Sequence, residues 1–355
     1  VKNIKEFWKN LIDRYGYPKV SIAILLIILI SIAFGQKGQS VPNLIIDSLV
    51  RIGMNGVLVL AMVPGIVSGT GLNFGISLGI LAGLLAGCIS IEMNLKGMSA
   101  FFIAVLISIP ISTLVGYLYG WILNKVKGDE MTVGTYLGFS IVSLMSIFWL
   151  ILPFKSPYMV WAIKGRGLRT TIALSDSYAK VLDDFLAIKL FDAGIPVGTL
   201  LFFGLLCVLM WLFLRSKTGV AMTAAGDNAK FAEASGINVN KYRMIGTIVS
   251  TVLGGIGILV YAQSFGFLQL YQAPLMMPFA AIAAILIGGA SAKKAKISHV
   301  ISGVVLFQTL LTISMPVFNK MIPEGANLSE IVRIIVSNGV ILYALTKVGG
   351  GEVNG

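Results

Sequence analysis

Ten apolar stretches punctuate the chain, at roughly 18 to 34, 44 to 67, 75 to 91, 98 to 123, 131 to 152, 196 to 214, 244 to 264, 275 to 290, 297 to 318 and 330 to 346. About 20 apolar residues in a helix cross the hydrocarbon core of a bilayer, and about 17 to 25 is the usual range. Each stretch therefore predicts a spanning helix, with 18 to 34 and 275 to 290 the shortest. Polar positions gather in short clusters between them, except in two longer segments, 153–195 and 215–243. Ahead of the first span, Ile4, Phe7, Trp8, Leu11, Ile12 and Tyr15 share one helical face, with Lys2, Lys5, Lys9 and Arg14 mostly on the rest. This predicts an amphipathic helix over residues 1–16, lying either on the inner membrane surface or on the protein's own cytoplasmic side. No small-x-small cleavage pattern follows Phe34, so the first span reads as a retained anchor.

Composition narrows the class. Of 355 residues 57% are hydrophobic and only 12% charged, about half the charged share of soluble domains. The expected fold is all-α, a polytopic membrane protein of about ten transmembrane helices forming a single domain over residues 1–355. Cys88 and Cys207 both sit in apolar runs, which excludes a disulfide scaffold. The formal net charge is +12, and its placement gives orientation, because cytoplasmic loops retain Lys and Arg. Lys125, Lys127, Arg215, Lys217, Lys230, Lys241, Arg243, Lys293, Lys294, Lys296 and Lys347 fall on the side of the basic N-terminus. The short loops opposite hold only Lys37, Lys96 and Lys320. Both termini are expected in the cytoplasm, and 153–195 becomes an extracellular insertion. The charge is a topology signal and a grip on membrane lipid, and it predicts no nucleic-acid partner.

Charges within spans are costly and mark ion or proton pathways. Here Asp47 with Arg51, and Glu330 with Arg333, lie at outer span ends, spaced so that each pair can meet on one helical face. The remaining depth is almost free of ionisable groups, which argues against an ion-coupled secondary carrier. The single histidine, His299, reads as a surface residue at an inner helix end. With two distant cysteines it cannot build a zinc site. Gly75-Ile76-Ser77-Leu78-Gly79 matches a hydrolase elbow in letters only, since it opens an apolar helix and lacks a base. Gly75, Gly79, Gly83 and Gly87 instead form a ridge at spacing four, followed in kind by Gly116 and Gly120, that lets helices approach closely. No phosphate-binding G-x-x-x-x-G-K-[ST] loop occurs, so the chain is not a P-loop ATPase. No catalytic constellation is present, and an intramembrane enzyme is not expected.

Pro64 to Gly75 holds four glycines and a proline in twelve residues. It predicts broken helix, of the kind that lines a path through a membrane protein. Tyr261 to Pro278 is interrupted similarly, with Gln263, Ser264, Gln269, Tyr271 and Gln272 as uncharged hydrogen-bonding groups. A neutral polar solute would suit this lining, and ordinary loop composition accounts for it nearly as well. The candidate path residues are Asn55, Asn73, Phe74, Gln263 and Phe267.

The loop 215–243 contains a tightly punctuated stretch, Gly226-Asp227-Asn228-Ala229-Lys230-Phe231-Ala232-Glu233-Ala234-Ser235-Gly236-Ile237. Asp227 or Asn228 caps a helix of about two turns that Gly236 ends. This stretch resembles the coupling loop of permease subunits in the ATP-binding-cassette importer family for branched-chain amino acids, simple sugars and nucleosides. The alternating segment Ala280 to Ser291 and the glycine-bearing segment Gly71 to Gly79 are similar to that family as well. The chain departs from its sugar permeases at Asn73, where an acidic residue is common, and in the length of 153–195.

The resemblance implies the permease fold of a type II importer and alternating access driven by a partner. Gly226, Asp227, Asn228, Ala229, Phe231, Ala232, Glu233, Ser235, Gly236 and Ile237 would dock on a cytoplasmic ATPase. ATP and magnesium would bind there, and this chain would hold no cofactor. It further implies an extracellular solute-binding protein or lipoprotein, a second permease protomer and a cytoplasmic-membrane location. A monosaccharide is the first expectation for the solute, a nucleoside the runner-up and a branched-chain amino acid the third.

Overall fold

The computed structural model describes residues 17–35, 41–160, 167–190 and 193–321, with 335, 338, 339 and 342. Among the described residues the chain runs through α1 (Tyr17–Gly35), α2 (Val41–Leu60), α3 (Met62–Val67), a 3-10 turn (Phe74–Ile76), α4 (Ser77–Glu92), α5 (Gly97–Lys125) and α6 (Glu130–Ile151). The segment after α6 contains β1 (Thr171–Ala173), α7 (Val181–Asp184), β2 (Ile188–Leu190) and β3 (Ala193–Ile195). There follow α8 (Val197–Arg215), α9 (Lys217–Asp227), α10 (Ala229–Ala234), α11 (Val239–Phe265), β4 (Phe267–Gln269), α12 (Gln272–Ile287) and α13 (Ile297–Met321).

Among the described residues seven helices are long and apolar enough to cross a membrane, α2 and α3 counting as one, and α1 and α12 contribute shorter apolar helices. They correspond to nine of the ten expected stretches. The tenth, 330–346, falls almost wholly outside the described residues, and so does the expected helix 1–16. The protein is a multi-pass membrane protein. Most boundaries lie within a few residues of the hydropathic ones, but α11 starts at Val239 rather than near 244. Asn238 is the reason: its Oδ1 accepts a hydrogen bond from the Lys241 backbone N at 3.0 Å, which starts the helix in polar sequence that hydropathy passes over.

The bundle has an inner and an outer layer. In the most apolar window of the α2–α3 unit and of α4, 83% of residues are buried, against 28% for α5, 22% for α6 and 28% for α8. The latter three turn broad apolar faces outward. At the centre α11 is clasped by α4 and α5 along the glycine ridge. A Cβ on Gly79 would collide with the Thr251 carbonyl and one on Gly83 with the Gly255 carbonyl, while one on Gly116 would stand 3.0 Å from the Ile248 Cα. Within a bilayer, packing replaces the hydrophobic effect as the force between helices, so close backbone approach is what holds these three together.

Proline leaves its mark on α12. Pro278 has no N–H to give the Pro274 carbonyl, and the Ser77 hydroxyl donates to that oxygen instead at 2.7 Å. Two short antiparallel ribbons qualify the all-α expectation: β1 pairs with β4, Thr171 opposite Gln269, and β2 pairs with β3. They occur where the backbone has left the helices and must find other partners. Glu92 accepts from the Lys155 and Ser156 backbone N–H groups, and Gly97 N donates to the Ser177 carbonyl. The described parts of 153–195 therefore gather at one end with the α4–α5 turn and β4. The loop 215–238 lies at the other.

Candidate functional site

The loop at that second end is more structured than its sequence suggests. Where one short helix was expected, two occur. α9 begins at Ser216, whose Oγ accepts from Gly219 N at 3.2 Å, and α10 begins at Asn228, whose Oδ1 accepts from Phe231 N at 3.0 Å. Asn228, rather than Asp227, is the cap. The end of α10 is closed by Ile237 N donating to the Ala232 carbonyl at 2.9 Å and Gly236 N to that of Glu233 at 3.0 Å. Gly236 adopts φ +79°, the left-handed residue such a closure demands.

Ala232 is buried with Ala225 and Val239, and Ile237 packs on that cluster. The opposite side of α10 is presented outward: Asp227, Ala229, Glu233, Ser235 and Gly236 are exposed, and Phe231 is 70% exposed. A cleft of about 290 Å³ opens beside it between Glu233 and Asn240. An exposed phenylalanine on a small, well-capped helix suits seating in a groove of another protein.

Gly226 faces inward from the same loop. A Cβ on it would collide with the Val67 carbonyl and stand 2.8 Å from Gly69 N. Gly69 and Gly71 have φ +80° and +76°, so the turn after α3 reverses on glycines and presents bare backbone. The expected break between the second and third spans is real, and it lies at the end of the bundle occupied by the loop 215–238. Its turn is fixed by Thr70 Oγ1 donating to the Gly65 carbonyl at 2.9 Å, and by Arg243, whose Nη1 donates to the Gly69 carbonyl at 3.1 Å.

Toward the other end, a cavity of about 660 Å³ opens between α2, the end of α11, α12 and α13. Its polar lining comprises Asp47, Arg51, Asn55, Ser264, Gln269, Gln272, Gln308 and Thr312, interleaved with Tyr261, Phe265 and Phe307. The second interruption builds its rim. α11 stops at Gly266, with φ +84°, and β4 and the start of α12 bring Gln269 and Gln272 to the opening.

The five path candidates separate in space. Asn55 lines the cavity. Gln263 is buried beside it: its Oε1 accepts from Leu182 N at 3.1 Å and its Nε2 donates to Ser264 Oγ at 2.8 Å. Ser264 donates in turn to Asp183 Oδ1 at 2.7 Å, so Gln263 touches the cavity only through its neighbour. Asn73 is buried, donating to Ser250 Oγ at 2.7 Å and accepting from the Tyr119 hydroxyl at 3.1 Å. Phe74 packs edge-on to Phe279 with centroids 6.0 Å apart, and Phe267 packs on Phe265 at 5.8 Å. Asn73, Phe74 and Phe267 are not among the residues lining the large cavity.

Three charge readings change. Asp47 and Arg51 share a helical face but form no ion pair among the described residues; both side chains open onto the cavity. Glu330 and Arg333 lie outside the described residues. His299 is half-buried rather than superficial, under the Gly288–Gly289 turn that its own carbonyl crowds. Arg243, read from sequence as a loop charge, is buried and paired with Glu130. Neither had been singled out, and no local signal would have found the pair, because the partners are separated by 113 residues. Outside the spans, Tyr178 is fully buried against Gly87, and burial, with Cys88 nearby, pushes its phenol well above the ordinary range. Among the described residues no group of three His, Cys, Asp or Glu side chains is placed to hold a metal.

Residues 20–341 match the family described as branched-chain amino acid transport system / permease component. Over 58 residues the chain is 40% identical to the nucleoside ABC transporter permease protein NupC of Lactococcus lactis subsp. cremoris, covering 16% of this chain and 18% of that protein. It is 24% identical over 159 residues to the uncharacterised protein MG121 of Mycoplasma genitalium, 44% of this chain and 45% of that one. The chain thus spans less than half the length of each of these curated relatives. An inward-facing structure of a metal-chelate-type ABC transporter is similar over 93% of this chain and 100% of its own, at 15% identity and a TM-score of 0.46. On the match that runs through nearly all its spans, the chain belongs to the family of branched-chain amino acid transport system permease components.

Proposed function

We propose that the protein is the membrane permease of an ABC-type importer and that the solute it moves is a nucleoside. The observation that carries the solute reading is the cavity lining. Four side-chain amides, Asn55, Gln269, Gln272 and Gln308, are set among three aromatic rings, Tyr261, Phe265 and Phe307. Stacking a base on an aromatic side chain contributes about 1–3 kcal/mol. Asn and Gln amides are suited to the paired donors and acceptors of a base edge. A volume of about 660 Å³ falls within the range of small-molecule sites, about 300–1,000 Å³. The relative named a nucleoside permease supports the same class. A monosaccharide would use the amides and pack its C–H face on the rings, but it has no π-face to stack on them.

In this reading α10 docks Phe231 into a groove of a cytoplasmic ATPase, which binds ATP and magnesium. A solute-binding protein delivers solute to the end bearing 153–195, and two permease protomers complete the path. The chain sits in the cytoplasmic membrane with both termini inside, in keeping with its basic loops and with the two-ended arrangement of its connections. The test is ATP-dependent uptake by proteoliposomes containing the permease, its ATPase and its binding protein, offered uridine, ribose and leucine separately. Uptake of uridine is expected. Uptake of ribose or leucine without uridine overturns the solute assignment, and uptake on an ion gradient without ATP overturns the importer.

A further inference from the structure

Among the described residues Arg243 is the only charged side chain counted as buried, with 8% of its surface exposed. Burying an ion pair costs several kcal/mol per ion before the partners repay it, so good geometry around the pair is required. Here it is present. Arg243 Nη2 pairs with Glu130 Oε1 and donates to the Leu123 carbonyl at 3.4 Å, Nε donates to Asn124 Oδ1 at 3.2 Å, and Nη1 to the Gly69 carbonyl at 3.1 Å. The other Glu130 oxygen accepts from Gly128 N at 3.0 Å, and Asn124 Nδ2 donates to the Asn240 carbonyl at 2.9 Å. One guanidinium thus joins the first turns of α11, the glycine turn after α3, the end of α5 and the start of α6.

Position gives this hub its meaning. Val239, four residues before Arg243, is packed in the cluster with Ala225 and Ala232 of the coupling loop. Gly226 and Gly246 press on the same turn, against Gly69 and Ser68. From this base α11 runs for 27 residues, roughly 40 Å of helix, and delivers Tyr261, Ser264 and Phe265 to the cavity. A loop displaced at one end pulls on the base of α11 through the Val239 cluster, and the guanidinium's bonds hold that base to α5, α6 and the glycine turn. The structure holds the pair made; a second arrangement with it broken would supply the two-state element that coupling over distance requires.

We infer that the Arg243–Glu130 pair, closed on the Gly69 carbonyl, is a latch that transmits movement of the coupling loop through α11 to the cavity. Both are positioning residues that touch no solute, and their role in transport rests on the importer reading. The decisive measurement is independent of that reading. The full chain is reconstituted in liposomes with Phe265→Cys at the cavity, and its labelling by a membrane-impermeant maleimide is timed with and without Glu130→Gln. The labelling rate should change by about 3-fold or more, and Glu130→Asp should return it toward the parent. An unchanged rate overturns the latch. In the assembled importer, Glu130→Gln should lower solute moved per ATP hydrolysed, for whichever of uridine, ribose or leucine is imported. A proportional fall in uptake and hydrolysis would reduce the pair to a structural role and overturn the inference. If the parent complex imports none of the three, the importer reading fails while the labelling result still decides the latch.

Discussion

Gly69 and Gly226 meet backbone to backbone: a Cβ on Gly69 would stand 2.9 Å from the Gly226 Cα. The turn after α3 and the loop 215–238 therefore touch without any intervening side chain, so a displacement of either must be accommodated by the other. A methyl at Gly226 would collide with the Val67 carbonyl, and inserting atoms into packed structure costs about 1–3 kcal/mol. Gly226→Ala should reduce ATP-dependent uptake about tenfold, whereas Gly204→Ala, with no neighbour within 4 Å, should match the parent. Equal uptake by the two variants would show that the close contact does not matter to transport.

Gly236 makes the opposite case. It has open space around it and is constrained by its φ of +79° rather than by a neighbouring atom, so a substitution there tests backbone strain without a clash. Forcing a β-branched residue into the left-handed region costs roughly 1–2 kcal/mol, and Asn accepts it more readily. Gly236→Val should distort the end of α10 and weaken stimulation of the ATPase by solute-loaded binding protein, with membrane insertion intact. Gly236→Asn should retain most of the stimulation. The ATPase assay of the assembled complex reads both.

The α4–α11 seam should be intolerant of bulk at any depth. Gly79→Leu and Gly83→Leu each drive a side chain into the backbone of α11, and no rotamer avoids a carbonyl. Both variants should lose the folded, monodisperse species in detergent, judged by thermal denaturation and gel filtration. Survival of either with an unshifted midpoint would contradict the packing described.

Asn55 donates to the Arg51 carbonyl at 2.9 Å through Nδ2, which leaves its Oδ1 for the cavity. A net hydrogen bond is worth about 0.5–1.5 kcal/mol, so Asn55→Ala should raise the half-saturating uridine concentration by up to about tenfold with the maximal rate little changed. Asn73→Ala, by contrast, removes the partner of Ser250 and Tyr119 and should lower stability more than affinity. Uptake kinetics and the denaturation midpoint of each variant separate the two effects.

Hydropathy located the described spans because burial in lipid leaves a long apolar run whatever the tertiary arrangement. The sequence narrowed the cap to Asp227 or Asn228 and marked the stop at Gly236, because capping is decided by residues a few positions apart; the choice of Asn228 came from the fold. α9 escaped notice because its Ser216 cap sits in a basic, weakly apolar stretch that reads as loop. Asn73 had the look of a path residue, but a buried amide and one facing a cavity are the same letter.

Alone, the sequence determined what depends on near neighbours: the apolar runs, the glycine ridge at spacing four, the short helix ended by Gly236 and the basic loops. Tertiary structure alone decided what depends on distant segments meeting. It paired Arg243 with Glu130, set Gly226 on Gly69, and gathered Asn55, Ser264, Gln272 and Gln308 around one cavity. Helical periodicity fixes which face a residue occupies, but only the packing of that face against another helix determines whether it meets lipid, a partner charge or a solute.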